Sequence, residues 1–432
     1  MLRLMGHQSE AIDFALARSG SMLNAGLGTG KTIVGLELIR RDLDGGAGLI
    51  LCPKVVRSVW LDEARRHYPD IPIAILDGTT KDRIADLNTL DPPFVVILNY
   101  ESATRMADAL RSIRWGIMIL DESHRIKGRS SKIARLAWHL ARRSRRRLLL
   151  TGTPADRPTD WFSQARVMNE EIFGTRLGDF DSRYVIKGNR TIPSMITGYR
   201  RLDELADRLA PHVMQVNAED VLDLPPERDT MIRIDLSPKA MKAYRQLEDD
   251  YIVDLGGDQL TAENDLVKLL RLAEMTGGVV DGHRVDDRKE SALKDWLADT
   301  DEPIVVVCRF RSDLDAVHRA ADGDSGELSG RRDDLQSWKA GRSRILAMQI
   351  QAGGVGISLV RARTMVFYSV GYSLIDMNQA RGRIRRPGQD RPVNYLHLIA
   401  RNTVDEMIAR AHVRKLNVIE TIRSVMRRRA AC

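Results

Sequence analysis

Cysteine is scarce in this 432-residue chain: Cys52, Cys308 and Cys432 are the whole supply. An odd, widely spaced set builds neither a disulfide framework nor a zinc site. Cys52 and Cys308 lie in apolar runs and read as core residues, which suits a reducing compartment. Aromatic residues make up only 5%, too few for a protein that stacks single-stranded bases on aromatic platforms. No run approaches ~18 consecutive apolar residues, so no membrane span is expected. The opening residues, Met1 to His7, carry no apolar stretch of signal-peptide length. Lysine is also rare, 13 of 67 basic residues, and the arginine excess matches GC-rich coding and carries no functional weight.

What is present is an ordinary globular composition, 43% hydrophobic and 29% charged. At ~150 residues per domain the length suits three units, or two lobes with decorations. The net charge of +8 leans toward a polyanionic partner, but it is unevenly spread. Residues 361–432 hold 15 basic and 5 acidic residues, a net of +10, and residues 101–150 hold 13 and 4, a net of +9. Residues 201–300 hold 13 and 23, a net of −10. This distribution points to a polyanion site shared by two lobes.

Short apolar runs recur between amphipathic stretches: 49–52, 94–98, 117–120 and 148–150. They lack period-two alternation, as strands buried on both faces of a parallel sheet do. Helical patterns over 33–41 and 131–142 separate them. The rhythm resumes at 303–308, 343–347 and 364–368. The fold class expected is α/β: two tandem, doubly wound parallel-sheet lobes with short helical insertions. The expected divisions are a first lobe over 1–165, a helical insertion and linker over 166–230 and a second lobe over 231–415. The second lobe includes helices over 240–296, and a basic C-terminal helix or tail covers 416–432.

Ala25-Gly26-Leu27-Gly28-Thr29-Gly30-Lys31-Thr32 follows an apolar strand and precedes a helix, the setting of a phosphate-binding loop. Glycines let backbone N–H groups turn toward phosphate. Lys31 would reach the β and γ phosphates of ATP, and the Thr32 hydroxyl would sit on Mg²⁺. Some 90 residues on, Asp121-Glu122-Ser123-His124 ends a buried strand. Adjacent carboxylates are costly to bury unless a metal or hydrogen bonds satisfy them. Asp121 is the candidate for holding Mg²⁺ through water, and Glu122 for orienting the attacking water.

With these motifs in place, the sequence resembles a superfamily-two helicase-type ATPase, and within it the SWI/SNF-type duplex DNA translocases, which implies that the two lobes are RecA-like. Leu4 and Gln8 resemble the adenine-reading element. Residues 49–60, with Cys52-Pro53-Lys54, resemble motif Ia, and Leu98-Asn99-Tyr100-Glu101 resembles Ib. Leu150-Thr151-Gly152-Thr153-Pro154 resembles motif III. Leu224-Pro225-Pro226-Glu227 resembles the linker of the SWI/SNF branch. Residues 351–359 resemble motif V and residues 379–389 motif VI. The resemblance implies that Gln8, Gly26, Gly28, Thr29, Gly30, Lys31, Thr32 and Gly356 bind the nucleotide. It implies that His124, Thr151 and Thr153 couple hydrolysis to motion, and that Gln379, Arg383 and Arg386 reach the γ-phosphate when the lobes close. Arg383 and Arg386 are three apart and would share a helix face. The family pattern usually has Asp at Gly382, His at Arg385 and Ile at Pro387. The compact form suits a bacterial or bacteriophage member, acting in the cytoplasm of the cell or infected host.

Sequence-independent contacts to DNA phosphates need positive charge, N–H groups and helix N-termini. The resemblance offers Lys54, Arg57, Thr104, Arg125, Arg311 and Ser358. Arg142, Arg143, Arg145, Arg146 and Arg147 form either a solvated helix end or a duplex-facing patch. The tail arginines Arg423, Arg427, Arg428 and Arg429 stand as either a DNA contact or a disordered end. No base-reading module is evident. Three functions stay open: a DNA-stimulated ATPase moving on duplex DNA as a monomer, a helicase separating forked DNA or RNA, and an ATP-gated DNA-binding adaptor for a replication or recombination partner.

Overall fold

The computed structural model describes residues 3–188, 196–253, 262–352 and 357–430. The chain divides into two units, Met1–Asp223 with Lys415–Cys432, and Leu224–Arg414.

The first unit is built on strands whose side chains are apolar on both faces, because helices cover both. Its strands are β1 (Gly20–Ala25), β2 (Ala47–Cys52), β3 (Ile73–Ile75), β4 (Phe94–Asn99), β5 (Trp115–Asp121) and β6 (Ser144–Thr151), with β9 (Val213–Val216) further on. They form one seven-stranded sheet in the order β3-β4-β2-β5-β6-β1-β9, and every pairing is parallel. A separate antiparallel pair is β7 (Val185–Lys187) and β8 (Ile196–Tyr199). The helices are α1 (Gly6–Leu16), α2 (Lys31–Asp42), α3 (Arg57–His67), α4 (Thr80–Asn88), α5 (Tyr100–Arg105), α6 (Ala107–Ser112), α7 (Lys132–Ala141), α8 (Trp161–Met168), α9 (Leu177–Tyr184), α10 (Leu202–Leu209) and α11 (Ala218–Val221). In α7 the buried residues Ala134, Ala137, Leu140 and Ala141 recur at helical spacing, so one stripe faces the sheet.

The second unit has a six-stranded sheet, β10-β17-β16-β13-β15-β14. Its strands are β10 (Glu227–Ile234), β13 (Ile304–Cys308), β14 (Ser325–Leu328), β15 (Ile345–Gln349), β16 (Thr364–Phe367) and β17 (Val393–Ala400). All pairings are again parallel. Its helices are α12 (Pro238–Val253), α13 (Ala262–Thr276), α14 (Arg288–Ala298), α15 (Arg311–Ala320), α16 (Leu335–Lys339), α17 (Leu374–Arg381) and the start of α18 (Val404–Ala430). The region 240–296, read as helical, also holds a small hairpin, β11 (Val279–Val280) and β12 (His283–Arg284). Asp281 and Gly282 both have positive φ between its strands, the backbone that a two-residue Asp-Gly turn demands.

The structure draws the first boundary later than residue 165. Strand β9 pairs with β1 from Met22↔Val213 to Ala25↔Val216. Phe162, Phe180, Tyr184, Leu205 and Leu209 are buried in the first core. Residues 166–223 therefore complete the first lobe. Residues 416–432 are likewise more than a basic tail, because Ile422 and Met426 of α18 are buried in that same core. Their four-residue spacing carries the packing face, while the arginines around them dominate the composition.

Candidate nucleotide site

At the carboxyl end of β1 the chain turns through Gly26–Gly30 and enters α2. Gly28 and Gly30 have φ of +82° and +83°, conformations in which a Cβ is strained. Thr29 Oγ1 donates to the Gly26 carbonyl at 2.9 Å. Lys31 Nζ donates to the carbonyls of Ala25 at 2.9 Å and Gly26 at 3.0 Å, so its ammonium lies over the loop. Gln8 Nε2 and His7 Nε2 both reach the Thr29 carbonyl, at 3.2 and 2.9 Å. The partner is a bare acceptor, so His7 carries its proton on Nε2. A Cβ on Gly26 would lie 2.7 Å from Ala218 Cβ, and one on Gly30 would lie 2.2 Å from Gln8 Nε2. Thr32 stands half-buried in the first turn of α2.

Two strands away from β1, β5 ends at Asp121. The register aligns Asp121 with Leu150, and Thr151 with Asn24. The acids, the 151–154 segment and the glycine loop thus share the carboxyl edge of one sheet, where open α/β folds bind ligands. Asp121 and Glu122 are both buried. Trp60 Nε1 donates to Asp121 Oδ2 at 2.9 Å, and the Glu122 N–H donates to Asp121 Oδ1 at 3.0 Å. Tyr100 Oη donates to the Asp121 carbonyl at 2.7 Å. Burial, then the neighbouring Glu122 carboxylate, raises the Asp121 pKa above the usual range. Glu122 has a left-handed backbone, φ +52° and ψ +53°. Its Oε2 lies 3.2 Å from His124 Nδ1, which lies 3.5 Å from Thr151 Oγ1. Thr151 Oγ1 also accepts the Thr153 N–H at 3.2 Å.

These residues suit a magnesium nucleotide. Among the described residues no group of three His, Cys, Asp or Glu is arranged to hold a metal ion. One carboxylate and one threonine hydroxyl suit an ion that keeps its waters and is carried by phosphates. Sequence reasoning placed Trp60 and Tyr100 in the Ia and Ib stretches without giving either a role, and it passed over Gln164 of α8; the three hold the acidic turn from behind. A tryptophan with a buried indole N–H needing a partner was the available signal.

In the second unit the structure corrects the helical reading of motif VI. Helix α17 carries Gln379 but ends at Arg381, and Gly382 is its C-cap. Arg383 and Arg386 therefore sit in the turns that follow and do not share a helix face. Arg383 is buried, 1% exposed, with its N–H on the Ala380 carbonyl. Arg386 Nη1 donates to the Ile357 carbonyl at 3.1 Å, and burial lowers its pKa. Their neighbours are held by strand β10: Arg381 pairs bidentately with Asp229 at 2.8 and 2.9 Å, and Arg385 lies 3.5 Å from Glu227. Gly356 lies outside the described residues.

The nucleic-acid candidates also follow carboxyl strand ends. Lys54 and Arg57 come after β2, Thr104 after β4 and Arg125 after β5; Arg311 comes after β13 and Ser358 after β15. Arg57 bonds Asp77 at 2.7 Å and Arg125 bonds Glu101 at 3.1 Å. Thr104 Oγ1 donates to the Tyr100 carbonyl at 2.9 Å. The arginine run is different: Arg142, the C-cap of α7, and Arg143 are exposed, as a solvated helix end would be, but every arginine of the run is also held by protein partners. Arg145, Arg146 and Arg147 open β6, at the opposite edge of the sheet. Arg145 and Arg146 both bond Asp42, and Arg146 also donates to the carbonyls of Ala15, Leu16 and Arg18. Arg147 donates to the Met168 carbonyl, Arg142 pairs with Glu170, and Arg143 bonds the carbonyls of Ser112 and Ile113.

Comparison with known proteins gives the family. The SNF2-related domain matches residues 7–276, and the helicase conserved C-terminal domain matches residues 288–388. The chain belongs to the SNF2-related family of helicase-like ATPases. It is similar to a protein of Caenorhabditis elegans described as a SWI/SNF-related matrix-associated actin-dependent regulator of chromatin subfamily A-like protein 1 homolog. The identity is 26%, covering 96% of this chain and 61% of the relative. Protein p41 of Acyrthosiphon pisum secondary endosymbiont phage 1 is 26% identical, with 98% of each chain covered. Thus the chain spans well under two thirds of some relatives and nearly all of another. The Sulfolobus solfataricus SWI2/SNF2 ATPase core in complex with dsDNA aligns with a TM-score of 0.47 at 19% identity, covering 94% of this chain and 90% of that one. No helix among the described residues is long and apolar enough to cross a membrane.

Proposed function

We propose that this chain is a DNA-stimulated ATPase that moves, as a monomer, along duplex or forked DNA without reading its sequence. The observation that carries the reading is the meeting of Lys31 and the buried Asp121–Glu122 pair at one sheet edge. The register of β1, β5 and β6 supports it, as does membership of the SNF2-related family. Backbone N–H groups of Gly28 to Thr32 and the Lys31 ammonium bind the phosphates, and Gln8 reads the adenine. Asp121 and Thr32 hold Mg²⁺, which when bound neutralises charge on the phosphate oxygens. Glu122 orients the attacking water, and His124 with Thr151 and Thr153 passes the change to the next segment. Gln379, Arg383 and Arg386 supply the finger side chains, a role worth about 10³–10⁵ in rate. Lys54, Arg57, Thr104, Arg125, Arg311 and Ser358 line the phosphate track.

The test is turnover with each nucleic acid in turn: duplex, forked and single-stranded DNA, and RNA. Stimulation by duplex or forked DNA, with displacement of a third strand but no sustained unwinding, is expected. Lys31→Ala and Glu122→Gln should each abolish turnover, and Glu122→Gln should still bind ATP. Sustained strand separation on tailed duplexes would replace this reading with a helicase. Negligible turnover with tight ATP-dependent DNA binding would replace it with an adaptor.

A further inference from the structure

Behind the acidic pair stands a buried amide that no motif includes. Gln164 of α8 and Ser123, the residue after Glu122, are both 0% exposed. Ser123 Oγ donates to Gln164 Oε1 at 2.8 Å. The amide nitrogen of the same side chain donates to the Pro154 carbonyl at 2.6 Å and the Asp160 carbonyl at 3.2 Å. The Asp160 carboxylate in turn accepts the N–H groups of Asp156 at 3.0 Å and Arg157 at 3.2 Å. One flat group thus spans the turn that carries Glu122 and the segment that follows β6.

The partners fix which way the amide points. Pro154 and Asp160 offer only carbonyl oxygens, so the nitrogen must face them and the oxygen must face the Ser123 hydroxyl. The position needs one acceptor and two donors on one planar group. Leucine supplies none of these, and glutamate would set a carboxylate against two carbonyls. Glu122 needs such support, because a left-handed backbone on a residue with a Cβ persists only where its surroundings over-determine it. The Ser123 hydroxyl pins the chain immediately after that strained residue. The Pro154 bond makes the same pin depend on the 151–154 segment.

We propose that Gln164 is a positioning residue for hydrolysis. It sets Glu122 through Ser123, and through Pro154 it ties that setting to residues 151–154. The proposal rests on the reading of Glu122 as the group that orients water. The experiment compares Ser123→Ala, Gln164→Met and the double variant of the full chain, with Glu122→Gln as reference. ATP turnover is measured at saturating duplex DNA, ATP affinity by direct binding, and folding by thermal melts.

Each single variant should lower kcat about tenfold, because both break the one buried Ser123–Gln164 hydrogen bond. ATP Kd should stay within about twofold, and the double variant should be no slower than the slower single. Folded variants with wild-type kcat would overturn the proposal. So would kcat and affinity falling together, as a general loosening would produce, or losses that multiply in the double variant. If Gln164→Met does not fold, Ser123→Ala decides alone, since it deletes one oxygen. Turnover surviving in Glu122→Gln would remove the underlying reading. Turnover abolished there but intact in Ser123→Ala and Gln164→Met would remove only this proposal.

Discussion

Replacing Gly30 with alanine should weaken ATP binding far more than one methyl group suggests. Gly30 holds φ +83°, ψ +32° as the N-cap of α2. A left-handed residue with a Cβ costs about 1–2 kcal/mol. The new Cβ would also lie 2.2 Å from Gln8 Nε2. That nitrogen is the end of a flexible side chain, so it moves, and its bond to the Thr29 carbonyl is lost at about 1 kcal/mol. Because Gly28 is exposed at the loop crest, the free loop escapes the strain by rearranging, and binding must restore it. The full 2–3 kcal/mol then appears as a Kd raised about 30- to 150-fold. The assay is titration of a fluorescent ATP analogue with Mg²⁺ into Gly30→Ala, Gln8→Ala and the double variant. Gln8 is already displaced in Gly30→Ala, so the double variant should bind no worse than that single one. A Gly30→Ala protein within threefold of wild type, or fully additive losses, would refute the reasoning.

The other predictions concern charge and pH. Arg146→Ala removes a half-buried side chain bonded to Asp42 and three carbonyls and should cost about 2–4 kcal/mol of stability. It should leave the salt dependence of DNA binding unchanged, whereas Lys54→Ala should reduce the log–log salt slope by about one. Asp313 is 1% exposed, and burial pushes its pKa up to about 6. Its folded form holds the proton more tightly than the unfolded chain does. That contribution is full below the unfolded value and is lost as pH rises through 6, by up to about 3 kcal/mol. Asp313→Asn should therefore gain on wild type in urea melts as pH rises from 4.5 to 7, and a constant difference across that range would show the carboxyl is not responsible.

Much of this fold is legible in the amino-acid sequence. Fully apolar runs such as 94–98 have one stable setting, a strand covered on both faces, and that is where they lie. The glycine loop is legible because Gly28 and Gly30 supply conformations other residues avoid. What failed was reading lobes from rhythm alone. Strand β9 has four residues, too short to show a period, and it is its pairing with β1 that assigns residues 166–223 to the first core. The ends of α17 failed for a related reason. Spacing of three is compatible with a helix face, but Gly382 stops the helix before the arginines begin.

Block charge misled most, because it counts groups without their partners. The +9 of residues 101–150 includes Arg142, Arg143, Arg145, Arg146 and Arg147, all spent on carboxylates and carbonyls at or near the amino edge of the sheet. Arg129 and Lys127 are held by Asp181 and Asp156. Counterion release scales with phosphates contacted, not with arginines present, so the salt slope should be far smaller than the block charges imply. It should follow the residues after the carboxyl ends of the strands. The same distinction explains the missed residues at the nucleotide site. Motifs name the groups that meet a ligand, and those can be matched by type and spacing. Trp60, Tyr100 and Gln164 meet only other side chains and backbone, so their roles are set by three-dimensional packing across 61, 21 and 41 residues of chain. A local pattern has no reach over such separations, and a supporting shell is therefore what the folded chain adds to the reading.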